Sequence, residues 1–142
     1  MRLRIVFDTS TLVGAALRPD SVPERALQRT ILFHCLFATA ETLGELERVL
    51  RLKKFDRFIG MDERLEFAQR LRRDAVQVDL QSELLDEVRG QCRDRNDDVF
   101  LAVCRAVKAD VLVSSDQDLL IMNPWKGIQI LTPAEFLAQV ES

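Results

Sequence analysis

Two short apolar runs in this chain end in the same way. Leu3 to Phe7 is closed by Asp8-Thr9-Ser10-Thr11, and Val111 to Val113 is closed by Ser114-Ser115-Asp116. A continuous apolar run of this length, partly β-branched, reads as a strand buried on both faces, and such strands belong to parallel sheets. Further short strands are expected at Cys35 to Ala38 and at Ile128 to Leu131, with a strand or extended link at Ala75 to Val78, each separated from the next by helical patterns. That alternation predicts an α/β fold with a central parallel sheet.

The helical segments follow from caps and spacing. Ser10 or Thr11 is placed to cap a helix from Leu12, which Arg18-Pro19-Asp20-Ser21 breaks. Pro23 to Ile31 is helical, with proline early, where its missing N–H costs little. Thr39 caps a helix over Glu41 to Leu50, whose Leu43, Leu46, Val49 and Leu50 recur at three- and four-residue steps. Lys53 to Phe58 reads as a further helical turn. Asp62 reads as the cap of a helix to Arg73, with Leu65, Ala68 and Leu71 in period, and Ser82 to Val88 as a short helix. After the polar turn Arg93-Asp94-Arg95-Asn96, a helix runs from Asp97 or Asp98 to Lys108, with Phe100, Leu101, Cys104 and Val107 toward the core. Pro133 opens a last helix through Val140. No repeat or linker interrupts the pattern, so one domain is expected over residues 1–142.

Charge and residue counts exclude several kinds of chemistry. The net charge is −3, which is no footprint of a nonspecific nucleic-acid binder. The three cysteines, Cys35, Cys92 and Cys104, have no paired spacing, against a disulfide framework or a zinc knuckle. His34 is the only histidine, which leaves no multi-histidine metal site and no histidine triad. No secretory leader opens the chain and no apolar stretch reaches the length of a membrane span, so the expected location is cytoplasmic, with no membrane partner.

What remains for chemistry is carboxylates. In open α/β sheets, ligands bind outside the carboxyl ends of the strands, and Asp8 and Asp116 both sit at that address, each beside hydroxyls. Aspartate at a strand-to-helix turn also serves as a helix cap, and Asp97 at a helix start favours the helix dipole. Carboxylates gathered together raise one another's pKa, and a divalent cation removes that penalty. Composition and periodicity define an acidic site and no reaction.

Four segments resemble a known family. Ile5 to Val13, with Asp8; Thr39 to Leu50, with Glu45, followed by Lys53-Lys54-Phe55; Cys92 to Ala102, with Asp97 or Asp98; and Val113 to Leu120, with Asp116, stand in the order seen in PIN-domain nucleases. Within these the chain is similar to the VapC-like branch, the toxin components of toxin–antitoxin systems. Ser10 stands where this branch often has Asn, and Ser114 where Thr is usual; both keep a polar side chain. Counting the helical register to Leu101, Ala102 and Cys104 favours Asp97 over Asp98 as third acid, since neighbours differ by about 100° around a helix.

The resemblance implies a three-layer α/β/α PIN-like fold and an endoribonuclease using Mg2+ or Mn2+. Asp8, Glu45, Asp97 and Asp116 are its implied metal ligands and catalytic acids. Thr9, Ser10, Asp94, Asp98, Ser114 and Asp118 are outer candidates that orient ligands or cap helices. Arg48, Arg51, Lys53, Lys54, Arg93 and Arg95 are candidates for RNA phosphates. The implied partners are an RNA substrate, a cognate antitoxin and a second copy in a homodimer. The competing reading is a non-catalytic PIN-like protein that binds RNA or metal. A haloacid-dehalogenase-type phosphatase wants a second Asp two residues after the first, where Ser10 stands, and a receiver domain wants a paired N-terminal acid that is absent.

Overall fold

A computed structural model describes residues 1–141. Five strands, β1 (Arg4–Phe7), β2 (Cys35–Ala38), β3 (Val76–Gln77), β4 (Val111–Val113) and β5 (Gln129–Leu131), form one sheet in the order β3-β2-β1-β4-β5. Every pairing is parallel. Eight helices connect them among the described residues: α1 (Thr9–Leu17), α2 (Val22–Phe33), α3 (Ala40–Leu50), α4 (Met61–Asp74), α5 (Ser82–Val88), α6 (Asp98–Val107), α7 (Gln117–Leu120) and α8 (Pro133–Glu141). Short 3-10 turns stand at Lys53–Phe55 and Arg95–Asp97.

The pleat sends alternate strand residues to opposite faces. Ile5, Phe7, Leu36, Val111, Val113 and Leu131 point to one side, where α1, α2, α3, α4 and α8 bring apolar residues such as Ala15, Leu27, Leu46, Leu71 and Phe136. Val6, Leu112 and Ile130 point to the other, against Val88 of α5, Leu101, Val103 and Cys104 of α6, and Leu119 of α7. The result is the three-layer α/β/α arrangement that strands buried on both faces require. Burial also explains the short helices. At nine residues α1 is below the roughly 12–15 that an isolated helix needs, and it persists because Leu12, Ala15, Ala16 and Leu17 are buried.

Several boundaries differ from the sequence expectation. The first helix begins at Thr9, because Asp8 and neither Ser10 nor Thr11 is its cap. Asp62 is not a cap: α4 begins at Met61 after Gly60, with Asp62 and Glu63 in the first turn beside the helix dipole. The buried face of α4 is Arg64, Phe67, Ala68 and Leu71, while Leu65 is only half-buried. The short α7 was not expected at all. No helix among the described residues is long and apolar enough to cross a membrane.

The order of the strands decides where a site can form. From β1 the chain builds outward through β2 and β3, then returns to the other side of β1 for β4 and β5. The crevice between the carboxyl ends of β1 and β4 is thus the topological switch point of the sheet, where ligands bind in folds of this kind.

Candidate functional site

Asp8 and the Ser114–Asp116 segment meet at that crevice because β1 and β4 pair in register, Phe7 beside Val113. Asp8 is 1 % exposed. Its Oδ1 accepts the Thr11 backbone N–H at 3.0 Å and caps α1, and its Oδ2 accepts the Ser114 hydroxyl at 2.5 Å. Ser114 Oγ in turn accepts the Asp116 N–H at 2.9 Å, and Thr11 Oγ1 accepts the Ser115 N–H at 3.2 Å. Two hydroxyls therefore lace the ends of the two central strands together. Burial pushes the Asp8 carboxyl above its ordinary value; the donors from Ser114 and Thr11 pull it back, and the Asp116 charge adds to the rise.

Asp116 caps α7, its Oδ1 accepting the Asp118 N–H at 2.9 Å. Facing it is the turn Arg95–Asp97, which Asp94 opens by accepting the Asn96 N–H at 3.0 Å. Asp94, Asp97 and Asp116 each offer one carboxylate oxygen within 4.8 Å of the others. Asp97 Oδ2 is buried with no hydrogen-bond partner. The Asp97 carboxyl is pushed up to about 7, first by burial, then by contact with the Asp116 carboxyl and by the charges of Asp116, Asp94 and Asp8. An orphaned oxygen among mutually repelling carboxylates, with only one histidine in the chain and no paired thiols nearby, fits a hard divalent cation.

Glu45 stands apart from these three. It is exposed on α3 and ion-paired with Arg48. Both line an open groove of about 500 Å³ together with Thr9, Glu41, Thr42, Asn96 and Asp97. The fold therefore brings Glu45 to the same groove as Asp97 and outside the cluster of Asp94, Asp97 and Asp116.

The outer candidates separate in space. Thr9 lines the groove, Ser114 bridges Asp8 to Asp116, and Ser10 Oγ reaches Asp8 Oδ1 only at 3.5 Å. Asp118 meets Asp116 through its backbone N–H. Asp98 turns the other way: buried, it accepts the Gly90 N–H at 2.7 Å and the Cys92 N–H at 2.9 Å, holding the loop before α6. It takes no part in the cluster, because a one-residue step around the helix start carries its side chain to another face. Arg51, Lys53 and Lys54 are exposed beyond α3; Arg93 is exposed, and Arg95 lines a separate concavity with Leu85, Arg89, Asp98 and Val99.

Asp94 was expected only as an outer partner, yet it joins the cluster. The signal was the spacing Asp94-x-x-Asp97, because a 3-10 turn has three residues per turn and eclipses positions i and i+3. Thr11, which ties the Ser115 amide, carried no sequence signal beyond a capping role.

Fold and site together define a parallel α/β protein with clustered carboxylates, suited to a cation, at its topological switch point. Within that class the chain belongs to the PIN-domain family, whose model matches residues 4–118. PIN domains are commonly nucleases and generally bind a divalent metal. Among solved structures the chain is similar to PAE2754 from Pyrobaculum aerophilum, with a TM-score of 0.68 and 14% sequence identity over 100% of both chains, a likeness of fold. No curated protein sequence gives a significant match.

Proposed function

We propose that the chain is a Mg2+- or Mn2+-dependent endoribonuclease and the toxin of a type II toxin–antitoxin pair. One observation carries the nuclease reading: Asp94, Asp97 and Asp116 converge within 4.8 Å while a buried Asp97 oxygen has no partner. Helix capping accounts for Asp94 and Asp116 and leaves Asp97 unexplained, since Asp97 makes no side-chain capping bond at the start of α6. Asp94, Asp97 and Asp116 would hold the ion, with Asp8 behind them and Glu45 across the groove.

When bound, the ion supplies Lewis-acid activation of water and offsets phosphate charge. The chain's own groups set up the rest. Ser114 holds Asp8 and the Asp116 backbone in fixed relation, so both carboxylates stay oriented. Asp97, whose buried Oδ2 has no donor of its own, would turn that oxygen to the ion beside Asp94 and Asp116. Arg48, in the groove beside Glu45, positions a substrate phosphate, and Arg51, Lys53, Lys54, Arg93 and Arg95 are further cations available to the strand. His34 is buried and accepts the Leu3 N–H at 3.1 Å, so acid–base work falls to the carboxylates.

A cleavage assay on single-stranded RNA tests this. Cleavage should require Mg2+ or Mn2+, stop in EDTA and be absent in Asp8→Asn. Cleavage that persists in EDTA, equal in Asp8→Asn, overturns the proposal; binding of RNA or metal without cleavage favours the non-catalytic reading. The toxin reading extends to an antitoxin partner and a homodimer. Growth arrest on expression, relieved by the product of the neighbouring reading frame, is its test.

A further inference from the structure

The ten residues between α3 and α4, 51–60, form no long helix or strand, yet they are held in place at notable cost. Arg64 of α4 is fully buried, and its guanidinium ties this segment to the end of α3 and the start of α4. Nε donates to the Leu50 carbonyl at 2.7 Å, Nη1 to the Ile59 carbonyl at 2.6 Å and Nη2 to Asp56 Oδ1 at 2.7 Å. Burying a charge is unfavourable unless every donor is matched, so this clamp constrains both ends of the segment and its middle.

What the clamp presents is unusual for a chain of net charge −3. Arg51, Lys53, Lys54 and Arg57 are all exposed, and no ion pair to any of them occurs among the described residues. The one acid among them, Asp56, already faces Arg64. Interleaved with the cations are aromatics. Phe58 is 38% exposed, with the guanidinium carbons of Arg57 and Arg18 at 4.9 and 5.8 Å from its ring centre; Lys54 Nζ lies 5.2 Å from that of Phe55.

The patch continues the acidic groove. Glu41, Glu45 and Arg48 line that groove at steps of four and three along α3, and Arg51, three residues beyond Arg48, caps the end of that helix. On the other side α1 starts at Thr9 in the groove and delivers Arg18 to Phe58, a rise of about 14 Å. Cations without a carboxylate partner beside an exposed ring, a few nucleotides from the proposed phosphodiester-cutting site, match a flexible polyanion whose bases are free to stack.

We propose that residues 51–58, clamped by Arg64, are a preformed platform for single-stranded RNA, with Arg51, Lys53, Lys54 and Arg57 on phosphates and Phe58 under a base. The choice of RNA rests on the ribonuclease reading above. The same platform discriminates against duplex RNA, whose bases are already stacked and cannot reach Phe58.

The test is fluorescence anisotropy of the full chain in EDTA, where binding is read without cleavage. The probe is a labelled unstructured RNA of about a dozen nucleotides, with a duplex of equal length beside it. Lys53→Ala/Lys54→Ala should weaken single-strand binding about tenfold and lower the salt slope by about 1.4, two contacts at roughly 0.7 each. Phe58→Ala and Phe58→Leu should each weaken it about tenfold with the slope unchanged, and leave duplex binding alone. Asp56→Ala, which loosens the clamp and removes no cation, should speed amide exchange over residues 52–59 and weaken binding as well. Arg72→Ala/Arg73→Ala, at the far end of α4, is the control and should bind as wild type. Wild type that binds no RNA, platform variants within twofold of wild type, or a control that loses as much overturns the proposal. So does a platform variant that changes only the oligomeric state, which would make the patch a self-interface. A chain that binds RNA this way and never cleaves it with Mg2+ sinks the nuclease reading alone. A chain that cleaves with KM indifferent to these variants sinks the platform alone.

Discussion

Asp97 and Asp98 are neighbours with separate tasks. Asp97 faces Asp116 with a buried oxygen unpartnered, while Asp98 accepts two backbone N–H groups of the preceding loop. Asp97→Asn should therefore cut metal-dependent cleavage by about 100-fold or more, the scale of losing one preorganised charge at a reacting centre. Asp98→Asn, which keeps one acceptor oxygen, should cost on the order of 1–2 kcal/mol of stability and far less activity. Steady-state kinetics and urea melts of both variants check this; the reverse ranking would assign Asp98 the chemistry. Asp97 also gives the metal-free chain a pH signature. Its carboxyl titrates near 7 in the fold against an ordinary value of 3.8. Between those values the folded chain retains a proton that the unfolded chain has released, so stability falls as pH rises from about 4 to about 7. In EDTA the melting temperature of wild type should drop more over that interval than that of Asp97→Asn, and parallel drops would show that Asp97 is not the titrating group.

At the scale of the element, α3 shows what local chemistry controls. Thr39 was legible as its cap, and the structure gives it a reciprocal box: Thr39 Oγ1 accepts the Thr42 N–H at 3.0 Å, and Thr42 Oγ1 accepts the Thr39 N–H at 3.1 Å. Thr39 is 1% exposed, so water does not replace the lost bond. Thr39→Val, close in shape, should cost about 1–2 kcal/mol in a urea melt, and a cost near zero would mean the box is redundant. Arg64 shows the opposite case. Apolar spacing alone could not place a charged side chain in the core of α4, because its burial depends on two carbonyls and a carboxylate that come from 14, 5 and 8 residues away.

For the whole molecule the switch point matters most. Two strands far apart in the chain place Asp8 and Asp116 side by side, and the turn before α6 adds Asp94 and Asp97. Four acids in one crevice store repulsion in the metal-free fold. Asp116→Asn retains an oxygen for the Asp118 N–H, so its metal-free stability should equal or exceed that of wild type. Wild type should gain about 2.7 kcal/mol at Mg2+ near 100 times Kd, roughly 5–10 °C in a chain of this size. The variant should gain much less. Thermal melts with EDTA and with Mg2+ decide it; an equal gain in both proteins would remove Asp116 from the metal site.

The sequence by itself determined the α/β class, the parallel sheet, the spans of β2, β4 and α5, and two acids at strand ends, because each rests on local periodicity or on a strand's own termination. It placed Asp97 by helical register and Glu45 by family likeness alone. Only the tertiary structure decided which carboxylates converge. Asp94 joined through 3-10 geometry, Glu45 stayed across the groove with Arg48, and Asp98 turned away to hold the loop. Convergence depends on strand order and on the angle at which each turn leaves the sheet, and neither quantity is carried by any one segment of the chain.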